Sequence, residues 1–118
     1  MSAQPTSDSQ SHQLILFTFG DSDTSDEQYL AHFKIFLFHF GTLAGGSTSM
    51  SFLVAPASGG TFQPLEDDAG ALVSILMGAN KSRAVTDASK ALALAAAGVV
   101  KLKLSASETT TVQLEANR

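Results

Sequence analysis

Residues 31–40 read Ala-His-Phe-Lys-Ile-Phe-Leu-Phe-His-Phe and hold four of the chain's eight phenylalanines. Aromatic and β-branched side chains at this density favour a pleated strand over a helix. A period of two places Phe33, Ile35 and Leu37 on one face and Lys34, Phe36, Phe38 and Phe40 on the other. Both faces are therefore largely apolar. In a small sandwich one face of each sheet meets the core and the other meets water, so a second apolar face implies that something covers it.

Working outward, Leu14-Ile15-Leu16-Phe17-Thr18-Phe19 is also apolar on both parities and predicts a strand buried on both faces, ended by Gly20. The polar run at 21–28 predicts a solvated turn. Downstream, residues 41–48 supply the glycines of a hairpin. Met50, Phe52 and Val54 alternate with Ser49, Ser51 and Leu53 up to Pro56, a half-buried strand. A turn follows at Ser58-Gly59-Gly60, then Pro64 and the acidic trio Glu66, Asp67 and Asp68 mark a loop. Residues 71–77 predict a further strand closed by Gly78, Ala79 and Asn80.

Residues 86–98 read two ways. Asp87 suits a helix N-cap, the alanines favour helix and Gly98 suits a C-cap, whereas Leu92 and Leu94 sit two apart, as in a strand. The leucine spacing tips the reading towards extended chain, with a short helix at 87–97 as the alternative. Val100, Leu102 and Leu104, then Val112 and Leu114, alternate with polar residues and predict two closing strands with one wet face each. About eight short segments with Gly-rich turns predict an all-β, antiparallel β-sandwich or jelly-roll-like domain over 13–118. Residues 1–12, free of apolar anchors, predict a flexible arm.

With 118 residues the chain has room for one domain. Net charge −4 with seven scattered Lys and Arg argues against a nucleic-acid partner. No apolar run is long enough for a membrane helix, and no N-terminal signal pattern is present. The absence of cysteine excludes disulfides, thiol nucleophiles and zinc ribbons.

The motifs of catalysis and cofactor binding fail in detail. A calcium loop beginning at Asp21 has Asp26 where a glycine is needed and His32 where a bidentate glutamate is needed. His12, His32 and His39 lack the spacing of a zinc motif. Gly41 and Gly46 are spaced as in a P-loop, but Ser47 replaces its lysine. No GxSxG elbow occurs. The expectation is a protein that is not an enzyme, with no catalytic, cofactor-binding or metal residue. Its candidate site is a subunit interface drawn from Ile15, Phe17, Phe19, Phe33, Phe36, Phe38 and Phe40.

Residues 40–65, FGTLAGGSTSMSFLVAPASGGTFQPL, resemble small virion proteins of tailed bacteriophages. The likeness rests on Gly41, Thr42, Gly45, Gly46, Gly59, Gly60, Thr61, Phe62, Pro64 and Leu65. GVVKLKLSAS at 98–107 and the following TTTVQLEA are similar to the closing strands of such domains. It covers most of 33–118, with Phe62 standing where such segments commonly carry Trp or Tyr. The resemblance implies a structural subunit of the virion, in a decoration, cementing, fibre-base or connector role. It implies that the chain binds itself and major capsid or neck proteins. A carbohydrate- or surface-binding β-sandwich module, with loops 21–29 and 64–70 as its site, is the alternative. A small hydrolase would have to draw on the trio at 66–68.

Overall fold

The structure is a computed structural model that describes residues 12–31 and 33–118. The fold is built around its last strand. The elements are β1 (His12–Thr24), β2 (Gln28–Tyr29), β3 (Ile35–His39), β4 (Ser49–Ala55), β5 (Gln63–Pro64), β6 (Ser74–Leu76), β7 (Ser82–Ala84), helix α1 (Ala88–Ala96) and β8 (Val99–Asn117). They form an eight-stranded antiparallel sheet in the order β5-β4-β8-β3-β7, with β1 and β2 on β8 and β6 on β4. The predicted all-β, antiparallel, sandwich-like class is the observed one.

The 19 residues of β8 serve two half-sheets. Val99–Leu104 pairs with β4 on one side and with β2 and Thr24 on the other. Glu108–Asn117 pairs with β1, and its last five residues also pair with β3. The two segments predicted as separate closing strands are thus one strand with a bend at 105–108. Side chains at even positions point inward through both halves: Val100, Leu102 and Leu104, then Glu108, Val112, Leu114 and Ala116 are all buried. Because the inward parity survives the bend, the sheet curls over one core. Phe38 of β3 meets Phe52 of β4 across it, with ring centroids 6.0 Å apart.

The bend explains why Gly20 does not end β1. The β1–β8 register jumps from Gly20–Thr109 to Ser22–Glu108 and then to Thr24–Lys103. Asp21, at φ 57, takes the left-handed conformation that aspartate tolerates best after glycine and asparagine. The first half of the polar run read as a turn, 21–24, is therefore an irregular continuation of the strand, and the chain turns at 25–27 before β2. His12, counted with the arm, is the first residue of β1, and residues 1–11 of the expected arm lie outside the described residues.

Residues 41–48 are not a hairpin, since β3 and β4 lie on β8 rather than on each other. The segment instead runs along the edge of β8 past its bend and is fastened to it. Glu108, 2% exposed, accepts from the N–H of Gly45 at 2.8 Å and of Ser47 at 3.0 Å. The Ser47 hydroxyl donates to Ala106 O at 3.0 Å, and Thr48 N–H donates to the Ser105 hydroxyl at 2.9 Å. Gly45 is required by space: a Cβ there would lie 2.1 Å from Ser107 O. Burial opposes ionisation of Glu108, but the hydrogen bonds from Ser47 and Gly45 outweigh it and hold the carboxyl below its usual range.

Residues 88–96 are helical, which corrects the extended reading. Asp87 accepts from Ser89 N–H at 2.9 Å and Lys90 N–H at 3.3 Å, capping the helix. The leucine spacing misled because α1 anchors through Leu94 alone, fully buried, while Leu92 is 72% exposed. A helix with one deep anchor leaves no 3.6-residue stripe to read. The strand β7 went unanticipated because Ser82-Arg83-Ala84 has neither alternation nor β-branched residues.

Candidate functional site

The seven residues expected to form a subunit contact are core residues of the chain itself. Phe17, Phe19, Phe36 and Phe38 are at most 1% exposed, and Ile15, Phe33 and Phe40 are also buried. The pleat is the physical reason. Ile15, Phe17 and Phe19 share the inward parity of β1, and Phe36 and Phe38 that of β3, so they pack on Val112, Leu114 and Ala116 of β8. Each fully buried phenylalanine stabilises the fold by about 1.5–3 kcal/mol. The aromatic stripe is core, and any contact surface on these strands must use the opposite parity.

That opposite parity forms an outer face on β1, β8, β3 and β7. The register sets Leu14 beside Glu115, Leu37 and Ala84 in one row, and Leu16 beside Gln113, His39 and Ser82 in the next. His12, Asn117 and Ile35 make the row at the end. Leu14, Leu16 and Ile35 are 54%, 46% and 59% exposed. The two apolar columns on β1 and β3 thus flank a polar column on β8. Both strands had read as apolar on both faces, and the structure leaves one of those faces in solvent.

A polar cluster crosses the middle of this face. His12 Nε2 lies 3.0 Å from Glu115 Oε2, and His39 Nε2 lies 2.6 Å from Glu115 Oε1. His39 Nδ1 lies 2.7 Å from the Ser82 hydroxyl. Hydrogen bonds from His12 and then His39 hold the Glu115 carboxyl below its usual range. An ionised carboxylate only accepts, so each histidine Nε2–H donates to it. The cluster ties β1, β8, β3 and β7 together on their solvent side. Sequence reading missed it because the four residues are scattered from 12 to 115, and only the strand register brings them within reach.

The hydroxyl, imidazole and carboxylate of Ser82, His39 and Glu115 resemble a hydrolytic triad in composition. The setting differs. The cavities of about 480, 250, 430 and 190 Å3 found on the chain are lined by other residues, and the cluster lies on an open sheet with no walls to hold a substrate. Among the described residues no group of three His, Asp or Glu is arranged to hold a metal ion. His32 lies outside the described residues.

The loops of the carbohydrate-binding alternative do not share a cavity. The 430 Å3 cavity is lined by Leu65 to Asp68 together with Ser89, Leu92, Ala93 and Ala96 of α1, and includes no residue of 21–29. Asp67 makes the turn of its own loop, accepting from Ala69 and Ala71 N–H at 2.9 Å. In the 21–29 segment, Asp23 is paired with Lys103 at 2.7 Å and Ser25 is buried. Phe62, the position of the departing aromatic, carries Lys101 Nζ 4.5 Å above its ring centroid.

Among the described residues no helix is long and apolar enough to cross a membrane. No family model and no curated protein matches the chain. The crystal structure of the SPBc2 prophage-derived protein YomS is similar to it, with a TM-score of 0.52 at 16% identity over 91% of this chain and 95% of that one. At that identity the likeness is one of fold: the chain has the curled antiparallel fold of a prophage-derived protein.

Proposed function

We propose that the chain is a structural and assembly protein of a tailed-phage virion, binding copies of itself and capsid or neck proteins in a decoration, cementing or connector role. The observation that carries this reading is the fold shared with a prophage-derived protein over nearly the whole of both chains. The resemblance of residues 40–65 to small virion proteins points the same way. The site supports contact rather than chemistry. Its exposed leucines and isoleucine present apolar area on the solvent face of the sheet, the kind of surface that packs on protein. We read the chain as non-enzymatic, with the Ser82–His39–Glu115–His12 cluster acting as a clasp across four strands.

The test is to purify particles released after induction of the host that carries the coding sequence, and to quantify this chain in them by mass spectrometry. A virion subunit co-sediments with the particles at a fixed ratio to the major capsid protein and survives a salt wash. A chain found only in the soluble lysate overturns the reading.

A further inference from the structure

The short strand β7 stands at one end of the sheet order and carries a charge on its inward side. Arg83 pairs with the buried Phe38, and residues directly opposite each other in a ladder project to the same face. The guanidinium is thus drawn in at the rim of the core. Among the described residues its Nε is buried without a hydrogen-bond partner, and Arg83 forms no ion pair. Buried donors in folded chains nearly always find an acceptor, so a donor that the fold leaves unmet calls for an acceptor from outside. Arg83 lines a cavity of about 250 Å3 between β6, β7 and the first turn of α1, and Lys90 lines it too. Lys90 Nζ donates to Ser74 O at 2.7 Å and keeps two further donors. We propose that this cavity is a carboxylate-binding site, in which Arg83 and Lys90 hold the C-terminal carboxylate of a partner protein chain that ends in an aliphatic residue.

Charge and lining select that ligand. Asp87 also lines the cavity, with its Oδ1 committed to the N–H groups of Ser89 and Lys90. Two cationic side chains against one carboxylate leave a single net positive charge at the site. A single carboxylate balances it, whereas a phosphate dianion would overshoot it and meet Asp87 as a like charge. The walls are aliphatic. Ile75 and Val85 pack partly buried against the core, and Leu76 is 69% exposed. The group behind the carboxylate is therefore apolar. A peptide terminus fits better than a free acid because the edge of β7 belongs to the same site. Lys81 O and Val85 N–H bond to Phe40 and Phe36 of β3, so alternation turns the N–H and C=O of Ala84 away from β3. Ala84 lines the cavity and offers a backbone partner to the last peptide group of the ligand. An inward-pointing charge on an edge strand also discourages stray strand pairing. That role does not require a donor that is both buried and unmet.

The site goes beyond the assembly reading and does not depend on it, since the partner chain need not belong to a virion. The full chain, labelled with nitrogen-15, is titrated at pH 7 with N-acetyl-leucine, N-acetyl-leucinamide, isocaproate and inorganic phosphate at matched ionic strength. NMR follows the backbone amides and the Arg83 Nε–H. N-acetyl-leucine moves the Arg83 Nε–H and the amides of Leu76, Ala84 and Val85 with a dissociation constant of about 1–10 mM. N-acetyl-leucinamide, which lacks the carboxylate, binds at least about tenfold more weakly, and isocaproate, which lacks the peptide group, about three- to tenfold more weakly. Arg83→Gln loses at least about tenfold in affinity and Lys90→Gln about threefold, while Leu92→Ser, on the helix surface, leaves it unchanged. Circular dichroism confirms that each variant is folded. Wild type that shows no shift at Arg83, or that binds N-acetyl-leucinamide as well as N-acetyl-leucine, overturns the carboxylate site, and neither readout needs a variant to fold. Phosphate binding more tightly than N-acetyl-leucine overturns the choice of ligand. Isocaproate binding as tightly as N-acetyl-leucine overturns the peptide terminus as its source. The particle experiment decides the assembly reading separately.

Discussion

Replacing Glu108 tests whether the bend of β8 is held by one buried carboxylate. Its two oxygens accept from Gly45 N–H and Ser47 N–H, and these bonds fasten the 41–48 segment to the strand it runs beside. In Glu108→Ala, Ser47 N–H is left without a partner in a buried residue, at a cost of about 1–3 kcal/mol. Gly45 is exposed, so its N–H turns to water and loses only about 1 kcal/mol. The total is about 2–4 kcal/mol, or a fall in Tm of roughly 8–16 °C for a chain of 118 residues. Glu108→Gln keeps one accepting oxygen but turns an NH2 towards the other donor, and loses about half as much.

The pH dependence has a definite sign. Because the folded carboxyl is held below its usual range, its contribution is complete above the unfolded value and is lost as pH falls through the folded one. The gap in stability between wild type and Glu108→Gln is therefore widest near neutral pH and narrows below about pH 4. Guanidinium titrations followed by circular dichroism at pH 7 and pH 3.5 measure both. Variants within about 0.5 kcal/mol of wild type at pH 7, or a gap that does not change with pH, refute the assignment.

Three further outcomes follow from the packing. Gly45→Ala puts a Cβ against Ser107 O and forces the 41–48 segment off the bend, costing at least about 2 kcal/mol in thermal unfolding and more than Gly20→Ala, where the space is open. Leu94→Ala costs about 2–5 kcal/mol and Leu92→Ala less than about 0.5 kcal/mol by the same denaturant assay, the opposite of the equal loss an extended segment would give. Asp87→Ala removes the cap of α1 and costs about 1 kcal/mol, and Asp87→Asn recovers most of it.

How far the fold was legible depends on what the residues could say locally. Met50 and Phe52 alternate with serines, and Val100, Leu102 and Leu104 with lysines, so their inward faces were readable directly. In β1 and β3 both parities are apolar, and the sequence offers no local sign of which one faces the core. Aromatic volume decides it: phenylalanine, with Ile15 beside it, fills the space under the curl, and Leu14, Leu16 and Ile35 are left outside. The bend at 105–108 was illegible because Ser105-Ala106-Ser107 looks like the edge of a loop, and only the partners of Glu108 reveal a strand continuing through it. The outer cluster was illegible for a different reason. Its members are joined by register, and register is a property of the sheet that no window of sequence contains.

Strand β8 links the shape of the domain to the character of its surface. Its bend lets one segment serve two half-sheets, so the inner parity closes over a core and the outer parity of the second half remains broad and open. The same strand contributes two acidic residues, and both are hydrogen-bonded where they stand. Glu108 is satisfied inside by backbone donors of the 41–48 segment, and Glu115 outside by two histidines from its neighbours. Had either carboxylate been left without donors, its oxygens would stand unsatisfied in the core or on the outer face. With both engaged, an acidic chain keeps one face that is apolar at its flanks and quiet at its centre. Apolar area of that kind in water is the feature of the surface on which the proposed assembly role rests.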